Sequence, residues 1–429
     1  MSTAAIVLIV SVIIFAVLGV PLVWSLVLAC VCSVAAGGTL DALPILVQRM
    51  FAGGLQYSLL AIFFFVLAGA IMQYGGLSKR LVDFANSLVG HISGGASLVC
   101  VIACTFFAAI SGSAVATTAA IGGIMYPELK RLGYPEDYAA ALPAAAGVLG
   151  VIIPPSVLFI LYGNVASVSP GKLLMAGVIP GLMGAFFICI MCYVFAKRKS
   201  YPRNEGFEAK VVIRTLKDSI WALLMPIIIL GGIYTGIFTP TESGVAAAAY
   251  GLICATVIYR DMDLALFRRV IKESCRTTAN VMILCMAATS FSYLLTIYQI
   301  PATLSRFLIA NVSNRYMFMI GVIILLLFLG MFMDVAASIL ILAPMLAPVA
   351  VAFGIDPIQF GLIFVFTMAI GQATPPFGTN LFVACGYSGR SVMSIGKHSL
   401  VFCSALVLVI LLCMIFPGIS TLLPGVMTQ

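Results

Sequence analysis

The sequence predicts an all-α polytopic membrane protein: an inverted repeat with about ten transmembrane helices plus two re-entrant helical hairpins. The first observation behind this prediction is composition, because 63% of the 429 residues are hydrophobic and only 8% are charged. A soluble domain has roughly 25% charged residues. The second observation is length, since each span takes about 20 residues. The third is a set of glycines and prolines that recurs along the chain.

Two proline pairs interrupt apolar runs that would otherwise form continuous membrane helices. Pro154-Pro155 and Pro375-Pro376 lie 221 positions apart. The same offset relates Pro127 to Pro348, Gly133 to Gly354 and Gly150 to Gly371. Unwound backbone at membrane depth is tolerated only where protein or a water-filled cavity surrounds it. Paired breaks of this kind are typical of the binding site of a secondary transporter.

A segment rich in Lys and Arg, residues 197–217, is predicted to be a cytoplasmic linker between two repeats. In the first repeat, 1–196, we expect scaffold spans within 4–74, a hairpin at 77–131, a broken helix at 137–163 and a closing span at 173–195. In the second, 218–429, the corresponding segments are 220–297, 300–356, 357–386 and 399–423. Residues 37–55 are predicted to form a loop.

Charge placement predicts that the two repeats have opposite orientations. Cytoplasmic loops carry an excess of Lys and Arg, so we place the linker inside, together with the basic pairs at residues 79–80 and 130–131. The first hairpin then starts and ends inside, whereas the second starts and ends outside. The basic residues that depart from this pattern are Arg49, Lys172, Arg306 and Arg315. The net charge of +8 is therefore attributed to topology and not to nucleic acid.

The tip of the first predicted hairpin is rich in hydroxyls. Ser111, Gly112 and Ser113 stand between two apolar runs, and Thr117 and Thr118 follow. Carbonyls that lose their helical partners at such a tip can bind a hard cation such as Na⁺, and the following helix start favours an anion. The alternative is that these small residues serve close helix packing in lipid.

The second tip, residues 331–338, carries Asp334 next to Met333. A carboxylate inside an apolar run is costly, which makes it a functional candidate. It could neutralise a bound Na⁺ or contact substrate. Asp334 could also cap the helix that begins at Val335, and the two roles are compatible.

The two breaks supply further backbone and side-chain oxygens, because proline removes an amide and frees carbonyls of the preceding turn. The candidates are Gly150, Ile152, Pro154, Pro155 and Ser156 in the first break, and Gly371, Thr374, Pro375, Gly378, Thr379 and Asn380 in the second. The chain has no GxxxxGK[ST] motif, so ATP is not the expected energy source. We find no cluster of nucleophile, base and orienting residue, which disfavours an intramembrane enzyme. A channel with a hairpin-built filter is the main alternative.

Residues 111–135, the run MFMDVAASILILAPMLAPVA and the run GQATPPFGTNLFVA resemble the large membrane subunit of tripartite ATP-independent periplasmic (TRAP) transporters. The resemblance covers essentially the whole chain. It implies an elevator-type transporter in the bacterial inner membrane that couples Na⁺ to the uptake of an organic anion. It also implies two partners, a soluble periplasmic binding protein and a small four-helix membrane subunit on a separate chain, with no cofactor beyond the coupling ion.

The resemblance also implies roles for individual residues. The first Na⁺ site would comprise Ser111, Gly112, Ser113, Gly150, Ile152 and Pro154. The second would comprise Met333, Asp334, Gly371, Thr374, Gly378 and Thr379. The substrate-binding residues would be Ser113, Ser156, Asp334 and Asn380. The substrate would be a carboxylate, either a sialic-acid-type sugar acid, which general likeness favours weakly, or a C4-dicarboxylate.

Overall fold

A computed structural model describes residues 3–199, 206–312 and 314–427, and its regular structure in these ranges is helical throughout. The part of the predicted linker at 200–205, with Arg203, lies outside the described residues.

The first half of the chain contains twelve α-helices among the described residues. They are α1 (Thr3–Val17), α2 (Leu22–Ala36), α3 (Leu43–Gly54), α4 (Leu60–Tyr74), α5 (Leu77–Val89), α6 (Gly95–Ser111), α7 (Ala114–Arg131), α8 (Glu136–Ala146), α9 (Leu149–Ile152), α10 (Val157–Ala166), α11 (Pro170–Ala176) and α12 (Val178–Lys199). Short 3₁₀ turns at Leu40–Ala42 and Tyr57–Leu59 precede α3 and α4.

The second half contains ten α-helices within the same described ranges. They are α13 (Ala209–Tyr234), α14 (Pro240–Ile253), α15 (Leu264–Ile297), α16 (Ile300–Asn311), α17 (Arg315–Gly330), α18 (Val335–Ala352), α19 (Pro357–Gly371), α20 (Thr379–Ser388), α21 (Val392–Ile415) and α22 (Gly418–Val426). A π-helical segment, Cys254–Ile258, extends α14.

Helix ends recur at the offset of 221 residues that relates the proline pairs. Helix α18 begins and ends 221 positions after α7, and α19 begins 221 positions after α8. Gly133 and Gly354, which follow α7 and α18, both have positive φ. The duplicated unit is therefore visible in the backbone as well as in the Gly and Pro pattern. The opposite orientation of the two copies stays a prediction from charge.

The prediction that residues 37–55 form a loop is wrong, because α3 occupies Leu43–Gly54. Pro44 suggested a loop, but it lies in the first turn of α3, where the missing amide has no helical partner to lose. The equivalent part of the second repeat is one 34-residue helix, α15. The first repeat thus has two helices with a break at Leu55 and Gln56 where the second has one.

Seven helices are long and apolar enough to cross a membrane, or eight if the bent pair Glu136–Ile152 and Val157–Ala166 counts as one span. Five more apolar helices have 10–17 residues. These numbers refer to the described ranges only. The chain is therefore a multi-pass membrane protein, and the expected number of about ten full spans stays a prediction.

The helices pack in two groups that meet along one seam. In the first group α15 packs against α2, α3 and α4, and α14 packs against α4. In the second, α6 to α10 and α17 to α21 pack on one another. The groups contact each other where α4 meets α6 and α10, and where α15 meets α18. The hairpin tips and the breaks lie in the second group, and its surface at the seam carries the candidate site.

Candidate functional site

The first hairpin tip is a compact set of hydroxyls and carbonyls. Helix α6 ends at Ser111, Gly112 has φ +65°, and Ser113 caps α7 by accepting a 3.3 Å hydrogen bond from the Ala116 amide. The Oγ of Ser111 lies 2.9 Å from Thr117 Oγ1, which donates to the Ser113 carbonyl at 2.8 Å. Three side-chain oxygens and a carbonyl therefore converge within one turn.

This tip touches the first break through backbone atoms. A Cβ on Gly112 would lie 2.8 Å from the Pro155 carbonyl oxygen. A Cβ on Gly150 would lie 2.5 Å from the Ser113 carbonyl oxygen. Only glycine allows approaches this close, so these two glycines set the distance between tip and break.

The first break separates α9 from α10 and bends the chain by 46°. Ile152 ends α9, and Ser156 caps α10 by accepting a 3.3 Å hydrogen bond from the Phe159 amide. Pro154 and Pro155 between them are buried, and the peptide bond that joins them is cis. The backbone here is non-helical and enclosed in protein, as a membrane-depth break requires.

The second tip places Asp334 at the start of α18. Its Oδ2 accepts hydrogen bonds from the amides of Ala336 (2.9 Å) and Ala337 (3.4 Å), so the capping interpretation is confirmed. The other carboxylate oxygen, Oδ1, makes no hydrogen bond with the described residues and stays available to a ligand. Asp334 is exposed, and Met333 beside it is half-buried.

The second break, residues 372–378, lies against the second tip. A Cβ on Gly371 would be 2.5 Å from the Gly330 carbonyl carbon. Thr374 Oγ1 donates to the Gly371 carbonyl at 2.8 Å. A Cβ on Gly378 would be 2.6 Å from the Thr374 carbonyl oxygen, so the chain folds tightly on itself before α20 begins at Thr379. The Pro375-Pro376 peptide bond is cis.

Three buried oxygen acceptors around the second break have no hydrogen-bond partner among the described residues. They are Gln372 Oε1, Thr379 Oγ1 and Asn380 Oδ1. Buried polar atoms are normally satisfied, and each exception calls for a ligand, a water or an ion. The Asn380 Nδ2 is bonded, since it donates to the Ala144 carbonyl at 3.0 Å and so ties α20 to α8.

Both tips open into one cavity of about 460 Å³, which we call the tip cavity. Residues 111–113, Asp334 and Gln372 line it from the second group of helices. Gln73 and Glu273 line it from the first group. The cavity therefore lies at the seam between the two groups, and residues 111–113 of the first repeat line it together with Asp334 of the second.

Other predicted site residues lie behind the cavity wall. Ser156 and Asn380 have no exposed surface and are not among the lining residues, so their substrate roles stay predictions. Gly150, Ile152 and Pro154 are buried at the first break. Gly371, Thr374, Gly378 and Thr379 form the second break, where Thr379 is half-buried and the others are buried. The Na⁺ roles of these residues likewise stay predictions.

Five polar residues that line the tip cavity were not selected from the sequence: Gln73, Glu273, Ser274, Thr277 and Gln372. Gln372 directly follows Gly371 in the second break, and a polar side chain in that apolar run was a usable signal. Glu273 lies in the basic segment of α15, and the sequence does not mark it as a site residue, because a charged segment is typical of a solvated face. Its Oε2 accepts a 2.9 Å hydrogen bond from the Tyr74 hydroxyl.

The polar groups that line the tip cavity offer oxygen atoms to a ligand. Among the described residues the lining supplies hydroxyls, amide oxygens and two carboxylates, with no Lys or Arg. Within the described ranges no group of three or more His, Cys, Asp and Glu could hold a metal ion. Oxygen ligands are the preference of hard cations, whereas softer metals require imidazole or thiolate.

Two tips that open into one polar cavity, with a helix break beside each tip, are typical of the binding site of a secondary transporter. A family model described as "Tripartite ATP-independent periplasmic transporter, DctM component" matches residues 9–419. The chain belongs to this family and is a multi-pass protein of the bacterial inner membrane.

Relatives with known names agree with this assignment. The C4-dicarboxylate TRAP transporter large permease protein DctM of Pseudomonas aeruginosa is 40% identical over 385 residues, which cover 90% of each chain. The 2,3-diketo-L-gulonate TRAP transporter large permease protein YiaN of Escherichia coli is 41% identical over 371 residues, covering 86% of this chain and 87% of the relative. These relatives are named as transporter permeases and not as enzymes or channels, so the chain is a large TRAP permease subunit.

The fold also has a distant neighbour among solved structures. The Alcanivorax borkumensis YdaH transporter aligns with a TM-score of 0.67, covering 91% of this chain and 89% of that chain, at 14% sequence identity. At this identity the likeness concerns the fold alone.

Proposed function

We propose that this subunit couples the inward movement of Na⁺ to the import of an organic carboxylate that a periplasmic binding protein delivers. One observation carries the proposal: the tips of both repeats open into a single cavity that Asp334, Glu273 and hydroxyls line, without Lys or Arg among the described residues. An anion alone is destabilised there, because two carboxylates repel it. A bound Na⁺ removes part of that repulsion, which makes anion binding dependent on the cation.

Each tip and its break would hold one Na⁺. The first site would use residues 111–113 with carbonyls of Gly150, Ile152 and Pro154. The second would use Asp334 with the backbone of Met333 and oxygens of the second break. That set comprises Gly371, Thr374, Gly378 and Thr379. The unpartnered Thr379 Oγ1 supports the second site, because a buried oxygen without a donor gains most from a cation. The carboxylate of Asp334 is exposed, and its Oδ1 is free to contribute a negative charge there.

The carboxylate would bind between the tips, with Ser113 and Asp334 at the cavity wall and Ser156 and Asn380 behind it. Helices α7 and α18 both start at the cavity, and helix N-termini stabilise negative charge. The names of the relatives favour two substrate classes, a C4-dicarboxylate and a sugar acid such as diketogulonate. A sialic-acid-type sugar acid belongs to the second class.

The two packing groups support an elevator mechanism. The group that holds the tips and breaks would slide past α4 and α15, and the seam at the tip cavity would be the sliding surface. In the tripartite assembly that the family description names, a small four-helix subunit on a separate chain would pack on the first group and fix it in the membrane.

Reconstitution with the small subunit and the binding protein tests the proposal. We expect uptake of labelled succinate or a labelled sugar acid only with an inward Na⁺ gradient and only with the binding protein. Asp334→Asn should reduce this uptake at least tenfold. Asp356→Asn is the matched control, because Asp356 caps α19 through the amides of Ile358 and Gln359 but does not line the tip cavity. Uptake without Na⁺ and without the carrier would instead indicate a channel.

A further inference from the structure

A second polar cavity lies along the same seam, with the opposite charge. It measures about 440 Å³, and among the described residues Arg49 lines it but no Asp or Glu does. In the same part of the chain, the tip cavity has two carboxylates in its lining and no basic residue. Helix α15 lines both, with Glu273 at one and Ser292 at the other, and α10 also contributes to both. The two cavities therefore lie between the same two groups of helices, one after the other along α10 and α15.

Arg49 is held toward this second cavity by the packing of α3. Leu46, Arg49 and Gly53 follow one another at helical spacing and share a face. The Leu46 carbonyl accepts a 2.6 Å hydrogen bond from Ser290 Oγ, and Gly53 contacts the Thr289 side chain. This face therefore packs against α15.

The Arg49 guanidinium stacks on a tyrosine of α15. Its carbon lies 4.8 Å from the centre of the Tyr293 ring. Arg49 forms no ion pair with any residue in the described ranges. Contact with the ring face holds the guanidinium beside α15 without neutralising its charge. An unpaired guanidinium offers two parallel donors, which is the geometry that a carboxylate matches.

Other groups of the cavity are also donors. Asn164 Nδ2 is buried and has no partner among the described residues, whereas its Oδ1 accepts from Ser58 Oγ. Gln56 and Ser292 line the cavity beside it. An unsatisfied buried donor in the same cavity as an unpaired cation favours an anionic ligand.

The side of the membrane follows from the charges on α15. The end of this helix near Arg268, Arg269 and Lys272 should be cytoplasmic, and Glu273 lies at that end. The residues that line the Arg49 cavity, from Cys285 to Thr296, lie toward the opposite end. The Arg49 cavity is therefore on the periplasmic side of the tip cavity.

We propose that the Arg49 cavity is a binding site for the carboxylate of the incoming substrate, separate from the tip cavity and occupied before it. This inference rests on the proposed function, because it assumes that an organic anion arrives from the periplasm. Arg49 supplies the attraction that the carboxylate-lined tip cavity lacks. This role also explains why Arg49 stands on the outer side, although the charge pattern of the chain places most Lys and Arg on the cytoplasmic side.

A labelling experiment tests the cavity without relying on transport. In the full complex, Ser292→Cys is treated with membrane-impermeant methanethiosulfonates, one anionic and one cationic, and modification of that cysteine is quantified by peptide mass spectrometry. We expect labelling from the periplasmic side, faster with the anionic reagent. Arg49→Gln should lower the ratio of anionic to cationic rates on the order of tenfold, the effect of removing one nearby unit charge from a partly screened site. Arg306→Gln, which removes another outer basic residue that does not line the cavity, should leave the ratio unchanged.

Uptake gives the second measurement. In the reconstituted complex Arg49→Gln should raise the KM for the anion about tenfold with little change in its Na⁺ dependence, and Arg49→Lys should recover part of the loss. An unchanged labelling ratio in Arg49→Gln, or labelling only from the cytoplasm, would overturn the inference. If wild-type uptake proved independent of Na⁺ while Arg49→Gln still lowered the labelling ratio, the proposed Na⁺ coupling would be refuted, but the anion site at Arg49 would be supported.

Discussion

Gly112 tests whether the first hairpin tip really meets the first break. An alanine there has two costs. Its Cβ is strained at φ +65°, at about 1–2 kcal/mol for a left-handed residue. The Cβ would also lie 2.8 Å from the Pro155 carbonyl oxygen, and such overpacking typically costs about 1–3 kcal/mol. The sum is about 2–5 kcal/mol of destabilisation in Gly112→Ala.

Gly133→Ala is the matched control for this prediction. Gly133 has φ +82°, and a Cβ there would have no neighbour within 4 Å. It therefore carries the backbone cost alone, about 1–2 kcal/mol. The difference between the two variants isolates the contact between tip and break.

The assay is thermal or denaturant unfolding of the purified complex, with uptake measured in parallel. We expect Gly112→Ala to unfold at a clearly lower temperature than Gly133→Ala and to lose Na⁺-dependent uptake. Equal stability and equal uptake in both variants would refute the close approach of Gly112 to Pro155, and with it the geometry of the first site.

Three further predictions concern other parts of the molecule. Asn380→Ala should lower the free energy of unfolding by about 1–3 kcal/mol, because the buried Ala144 carbonyl loses its donor. Asn311→Ala, at an exposed site, should leave the free energy of unfolding unchanged. Equal melting temperatures of the two variants would contradict this prediction. Arg390→Gln breaks a two-bond ion pair with Asp137 (2.6 and 3.1 Å) that is partly exposed, so the loss should stay below about 1 kcal/mol and shrink in high salt. Maleimide should label Cys275 faster than any other cysteine of the described chain, since it alone among them is exposed; faster labelling elsewhere would show that the packing is different.

The features that the sequence predicts well are local ones. Paired prolines and the glycines beside them determine where a helix must break, whatever packs around it, and each proline pair does lie between two helices. Asp334 was also predictable as a helix cap, because a carboxylate before an apolar run has few other local uses. The resemblance to the TRAP family, now shown by the comparisons, came from the same motifs.

The features that the sequence missed depend on tertiary packing or on helix context. Glu273 and Gln73 reach the tip cavity only because α15 and α4 pack along the seam, and no local pattern records that. The helical character of α3 was missed because Pro44 is compatible with either a loop or a first helical turn. Ser156 is predicted to contact substrate, but its hydroxyl caps α10 and its side chain is buried, which only the packed structure reveals.

The most direct measurement of the central claim is equilibrium binding of radioactive Na⁺ to the purified complex, compared between variants from the two repeats. If both tips hold the coupling ion, Ser111→Ala in the first repeat and Asp334→Asn in the second should each weaken saturable Na⁺ binding, and Asp356→Asn should not. Saturable binding of equal affinity in wild type, Ser111→Ala and Asp334→Asn would contradict the account.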